Sequence, residues 1–170
     1  PHLRSAANKN SRKRAVRIRG LRVLSVRRNR ALQFRRIHDI VKPIIRKCRE
    51  TAMRMRRRNN LAPRMEACES VWIHEPEALR GNWRSLMPGC RELRVEVGCG
   101  KGKFTVETAE AEPDVLLIAI ERVQDALVLA MEAAIRKGLK NVFFVSLDAA
   151  NIDQFFADDE IDLLYINFCD

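Results

Sequence analysis

The stretch Leu93-Arg94-Val95-Glu96-Val97-Gly98-Cys99-Gly100-Lys101-Gly102 reads as a strand running directly into a glycine loop. Leu93 to Val97 is the strand, and a helix is predicted from about Lys103 to Glu110, closed by Pro113. Glycines at a strand's C-terminal end let the backbone turn sharply and approach a ligand closely, while the helix start behind them presents unpaired N–H groups. The spacing G-x-G-x-G is neither the G-x-G-x-x-G of a dinucleotide fold nor the G-x-x-x-x-G-K-[ST] of a P-loop. Glu96, two residues before the first glycine, would repel a pyrophosphate and attract a cationic ligand.

Downstream, strand-like and helix-like segments alternate. Val115 to Ile120 (VLLIAI) is a continuous apolar run, as expected of a strand buried on both faces. Asp125 to Lys137 is predicted helical, with Ala126, Leu129, Ala130, Ala133 and Ala134 on one face and Gly138 placed for a left-handed C-terminal cap. Asn141 to Leu147 is a third strand, about Ile152 to Ala157 a short helix, and Ile161 to Asn167 a fourth strand. Such alternation implies right-handed crossovers and a doubly wound parallel sheet. Acids stand at the ends of the predicted strands: Glu121, Asp148 (trailed by the small Ala149 and Ala150) and Asp170 join Glu96. Open α/β sheets bind ligands at strand C-termini, and an acid such as Glu121 can accept hydrogen bonds from ribose hydroxyls. Taken singly, an acid such as Glu121 at a strand end is more often a solvated residue, and Asp148 reads as an N-cap.

Upstream, the composition changes. Residues 1–60 carry 21 Lys/Arg against Asp39 and Glu50, a surplus of +19, whereas residues 61–170 carry 11 Lys/Arg against 20 Asp/Glu, or −9; the chain's net charge is +10. A basic arm is joined to an acidic body. The arm has no sustained period beyond an amphipathic hint over Ile37 to Cys48, which Pro43 interrupts. It reads as an RNA-binding arm, an organelle transit peptide or translated sequence upstream of the true start. The last is favoured, because the chain begins at Pro1 while Met53 and Met55 stand just before the change. Residues 61–92 are less periodic, and Trp72, Trp83 and Leu86 are expected to pack as a cover on the body.

With 170 residues, 46% of them apolar, the chain can build one real core, which excludes a fully disordered protein. No apolar run approaches a membrane span and no secretory signal is visible, so the compartment reads as cytoplasmic, with no membrane partner. Five cysteines without a CxxC pair read as reduced thiols. The scattered His2, His38 and His74 do not suggest a metal site. No Ser/His/Asp or Cys/His nucleophile is apparent, and Cys99 reads as a small packing residue.

Met53-Arg54-Met55-Arg56-Arg57-Arg58, Pro63-Arg64-Met65-Glu66, the loop Glu96 to Gly102 with Phe104, Ile120-Glu121-Arg122, Gly138-Leu139-Lys140-Asn141-Val142 and Tyr165-Ile166-Asn167-Phe168-Cys169-Asp170 together resemble the bacterial tRNA (guanine-N7)-methyltransferases. The glycine loop alone points only to a class I methyltransferase; the Tyr-Ile-Asn-Phe-x-Asp ending is far more specific. The resemblance covers about Met53 to Asp170. It implies a Rossmann-like class I methyltransferase fold, cut short after its fourth strand. It also implies S-adenosylmethionine as cofactor and methyl transfer to N7 of a guanine in the variable loop of tRNA. The expected cofactor contacts are Glu96, Gly98, Gly100, Gly102, Glu121, Asp148, Ala149 and Asp170, with Asp170 also in the catalytic role. The family continues past Asp170 with Pro-Trp and a basic, His-containing segment, so the chain reads as a fragment expected to be inactive alone. Its parts are a basic arm (1–52), a cover segment (53–92) and the N-terminal half of the cofactor domain (93–170). Three other readings stay open: a class I methyltransferase on another substrate, a nicotinamide-dependent oxidoreductase through Gly98, Gly100 and Glu121, and a non-enzymatic RNA-binding protein through the arm.

Overall fold

The computed structural model describes residues 14–18, 21–27 and 60–167. Its centre is a strand pair that the sequence marks clearly. β4 (Glu92–Val97) and β5 (Val115–Ile120) pair in parallel with Val95 opposite Ile118, and all six β5 residues are buried. Helix α2 (Lys103–Ala111) connects them, and α3 (Gln124–Arg136) connects β5 to β6 (Val142–Val145). Gly138 has φ +66° just past α3, the left-handed conformation expected there. A 3-10 turn over Ala149–Asn151 and α4 (Ile152–Phe155) then lead to β7 (Leu163–Asn167). β5 has the bounds expected from its apolar run and β4 begins one residue earlier than expected, while β6 and β7 are shorter than expected by one or two residues at an end.

Upstream of this unit lie α1 (Leu61–Glu66), the two-residue β3 (Trp72–Ile73), and 3-10 turns at Pro76–Leu79 and Trp83–Leu86. Two further strands, β1 (Arg14–Ile18) and β2 (Leu21–Arg27), come from the basic arm. The sheet order is β1-β2-β7-β4-β5-β6-β3. The five strands from β7 to β3 are parallel, while β2 pairs antiparallel with β7 and β1 antiparallel with β2.

Three features differ from what the sequence suggests. The parallel sheet has a fifth strand, because Trp72 and Ile73 pair with Phe144 and Val145 instead of lying wholly in a cover. The arm contributes two strands although its residues show no alternating period; pairing along β7 supplies what periodicity does not. The outer edge of β7, the strand after which the expected fold is cut short, is taken by β2. The amphipathic hint over Ile37 to Cys48 lies outside the described residues.

Each face of the sheet has its own core. Phe104, Val106, Leu127, Met131 and Ala134 of α2 and α3 pack with Met65 of α1 against Leu117, Ala119, Phe144 and Tyr165. The opposite face packs Leu93, Val95, Ile118 and Leu164 against Trp83, Ile152, Phe155 and Phe156. Trp83 is fully buried, stacks on Phe156 at 4.8 Å and donates its indole N–H to Phe155 O. The expected cover thus exists through Trp83 and, partly buried, Leu86.

The chain runs outward along β4, β5 and β6, then returns to place β7 on the other side of β4. That reversal makes the β4/β7 boundary the topological switch point of the sheet, where open α/β folds take their ligands.

Candidate functional site

The glycine loop sits at the end of β4, at this switch point. Gly98, Gly100 and Gly102 have φ of +77°, +55° and +77°, a conformation L side chains rarely adopt, so the alternation of glycines is a backbone requirement. Gly98 and Cys99 N–H both donate to Ile120 O (2.9 and 3.1 Å), and Gly102 N–H donates to Cys99 O (2.9 Å). The loop is therefore tied to the end of β5 before any ligand is considered. Gly102 also serves packing: a Cβ there would lie 2.4 Å from Ala130 Cβ and 2.8 Å from Ala130 Cα.

Glu121 follows β5 and is half-buried. Its Oε2 accepts from Gly100 N–H (3.0 Å) and its Oε1 from Val123 N–H (2.8 Å). This is neither a solvated acid nor one that merely faces a cleft; the carboxylate holds the middle of the glycine loop. A carboxylate offers about four acceptor positions, so positions remain for the hydroxyls of a bound ligand.

Glu96 is 1% exposed and projects from β4 toward the helices α1 to α3, the same side as Arg94. Thr105 in the first turn of α2, itself fully buried, donates its hydroxyl to Glu96 Oε2 (2.5 Å). Glu96 thus lies beneath the loop and near the positive end of α2, where a carboxylate is favoured. Sequence reasoning missed Thr105; its available signal was the predicted helix start, which puts the third residue of α2 over the strand carrying Glu96.

Asp148 follows β6, two strands from the loop. It caps the 3-10 turn, its Oδ1 accepting from Ala150 N–H (3.1 Å), and Ala149 beside it is buried. Of the four acids expected to converge, Glu96 and Glu121 meet at the loop, Asp148 stands farther along the strand ends, and Asp170 lies outside the described residues.

A second polar cluster, at the other end of β4, went unread in the sequence. Arg94, buried in mid-strand, donates from Nε to Glu92 (2.7 Å) and from Nη1 to Glu112 (2.6 Å) and the Tyr165 hydroxyl (2.9 Å). Arg91 adds bonds to Asp114 (2.6 Å) and Glu112 (2.9 Å). The signal was present: a charged residue in a strand covered on both faces must find buried partners. Hydrogen bonds from Arg94 and Arg91 hold the Glu112 carboxyl below the ordinary glutamate range, against some desolvation. Cys68, Cys90 and Cys99 are free thiols, and burial pushes that of Cys68 up. Among the described residues no three His, Cys, Asp or Glu group as metal ligands would, and no helix is long and apolar enough to cross a membrane.

The site is thus a rigid glycine loop, with one acid beneath it and another clasping it. It suits a small cationic ligand carrying hydroxyls. Residues 91–170 match a family model described as a putative methyltransferase. The tRNA (guanine-N(7)-)-methyltransferase of Geobacillus kaustophilus is 40% identical over 118 residues, covering 69% of this chain and 54% of the relative. That of Levilactobacillus brevis is 41% identical over 98 residues, covering 58% of this chain and 46% of the relative. The chain spans about half the length of the curated relatives it matches. With its strand, glycine loop and Glu121 clasp inside the matched stretch, the chain is similar to the tRNA (guanine-N(7)-)-methyltransferases over about half of their length.

Proposed function

We propose that the glycine-loop site binds S-adenosylmethionine and that the protein transfers the methyl group to N7 of a guanine in the variable loop of tRNA, working in the cytoplasm. The observation that carries this reading is Glu121 fixed on Gly100 at the switch point, inside a sequence 40% identical to a tRNA (guanine-N(7)-)-methyltransferase. Methyl transfer is assigned to a protein of the relatives' full length, and cofactor binding to the 170 residues themselves.

The residues fit the cofactor. Gly98 and Gly100 let backbone approach it, and Gly102 keeps the loop tight against α3. Glu121 offers acceptors to the ribose hydroxyls, and the buried Glu96 makes the potential around the loop negative, favouring an ammonium and a sulfonium. Asp148 and Ala149 are assigned to the adenine side. When bound, S-adenosylmethionine supplies a methyl group that an in-plane lone pair can take as the carbon–sulfur bond breaks, its electron pair leaving with sulfur. Guanine N7 carries no proton, so no residue of this chain needs to act as a base. The protein's contribution is then alignment and electrostatic complementarity. Asp170, three residues after β7 in the sequence, is proposed to orient the cofactor's ammonium or the guanine N1–H and N2–H donors.

Calorimetric titration of the 170-residue chain with S-adenosylhomocysteine and, separately, NAD tests the cofactor assignment. Binding of S-adenosylhomocysteine alone supports it; preference for NAD overturns it in favour of hydride transfer. For the full-length protein, methylated tRNA digested to nucleosides should yield 7-methylguanosine.

A further inference from the structure

The body from residue 61 onward is acidic, yet its unpaired cations are not scattered. Of its eleven Lys and Arg, six hydrogen-bond to carboxylates or a carbonyl within the body. Lys101, Lys103, Arg122, Arg136 and Lys140 have no hydrogen bond or ion pair to any described residue. Two of these, Arg136 and Lys140, lie at the end of α3 and before β6, away from the site. The other three surround the glycine loop. Lys101 stands between Gly100 and Gly102, Lys103 opens α2, and Arg122 follows Glu121, whose carboxylate touches Gly100 N–H at 3.0 Å. All three are exposed.

Lys103 occupies the first position of α2, whose first turn contains no acid. A cation at a helix N-terminus opposes the helix dipole and is disfavoured there. Glu107, one turn on in α2, makes no hydrogen bond or ion pair with the three cations. Two helix starts and three cations therefore direct positive potential outward at the mouth of a site whose floor is acidic.

The proposed cofactor has no phosphate and a single carboxylate, fewer anionic groups than three cations can meet, so the further anions are those of the other substrate. Resting on the proposed function, we infer that Lys101, Lys103 and Arg122 form a docking rim for the phosphate backbone of the RNA, seating the strand across the mouth while Glu96 and Glu121 hold the cationic cofactor below. Each phosphate neutralised releases condensed counterions and gives the rim a salt-dependent share of the binding.

The test is amine acetylation of the 170-residue chain followed by peptide mass spectrometry, with and without tRNA at a concentration that saturates binding. Lys101 and Lys103 should be acetylated at least fivefold more slowly in the complex, while Lys140 reacts at its free rate. S-adenosylhomocysteine alone should leave all three rates unchanged. In parallel, the triple variant K101Q/K103Q/R122Q should bind tRNA about tenfold more weakly, with a shallower dependence on salt, and bind S-adenosylhomocysteine as the parent does. Unchanged acetylation of Lys101 and Lys103 in the saturated complex would overturn the rim, since the basic arm would then hold the RNA alone. Equal protection by a mononucleotide would overturn it as well, identifying a small-phosphate site. Failure of the parent chain to bind S-adenosylhomocysteine would instead count against the cofactor reading and leave the acetylation result to judge the rim.

Discussion

Two residues that shape the loop carry opposite kinds of burden. Glu121 is polar and replaceable in shape but holds two backbone N–H groups. Replacing it with Ala should weaken S-adenosylhomocysteine binding by about 1.5–3 kcal/mol through the loss of charge-assisted bonds. It should also speed hydrogen exchange of the Gly100 amide in the protein without ligand, as read by NMR; an unchanged rate would show that the clasp does not restrain the loop. Gly102 is the reverse case, small because α3 leaves no room. Gly102→Ala forces a Cβ into Ala130 at a positive φ, and unfolding in urea should show a loss of about 2–4 kcal/mol. The sequence made both positions visible, Gly102 by the alternation and Glu121 by its place after an apolar strand. It did not separate their duties, since which glycine meets a helix and which meets a carboxylate depends on packing between segments far apart in the chain. Thr105 was missed for the same reason: the helix start places it over β4, but only the packing of α2 on the sheet makes its hydroxyl meet Glu96.

Among the elements, β5 and α3 were legible because their patterns are complete within themselves, a six-residue apolar run and a five-residue helical face. β3 was not, since two residues make no pattern and their strand character comes from β6. The irregular segment before β4 owes its shape to one acid. Glu160 accepts from the N–H groups of Gly81 (2.9 Å), Trp83 (3.0 Å) and Ala157 (2.9 Å), joining the Trp83 turn to the loop before β7. Glu160→Ala leaves these donors without their acceptor, and a destabilisation of about 2–4 kcal/mol with altered Trp83 fluorescence is expected. At the opposite end of β4, the Glu112 carboxyl is held below its ordinary value by Arg94 and Arg91. A depressed carboxyl contributes its stability above the unfolded-state value, near 4.3, and loses it as pH falls through the folded-state value. Melting temperature followed from pH 7 to 3 should therefore drop less steeply in Glu112→Gln than in the parent; identical acid limbs would remove Glu112 from the account.

For the whole molecule, the described residues of the basic arm join the acidic body through the pairing of β2 with β7. Among the described residues, both cores are built by residues from Leu61 onward. A chain beginning at Met53 should then keep its melting temperature and its affinity for S-adenosylhomocysteine. Its β7 edge would lack β2, so light scattering should show increased self-association. A large drop in melting temperature would mean that the arm is part of the folding unit. The return of the chain at the switch point also sets an order of assembly. β4 pairs Arg94 with Leu117 on one side and with Leu163 on the other. Its first partner is thus near in sequence and its second distant, and distant pairings close slowly. The backbone bonds that tie the glycine loop to the described sheet come from the near side, from Ile120 and Glu121. During folding, the cofactor loop can take its final shape while the far wall of its crevice is still unmade.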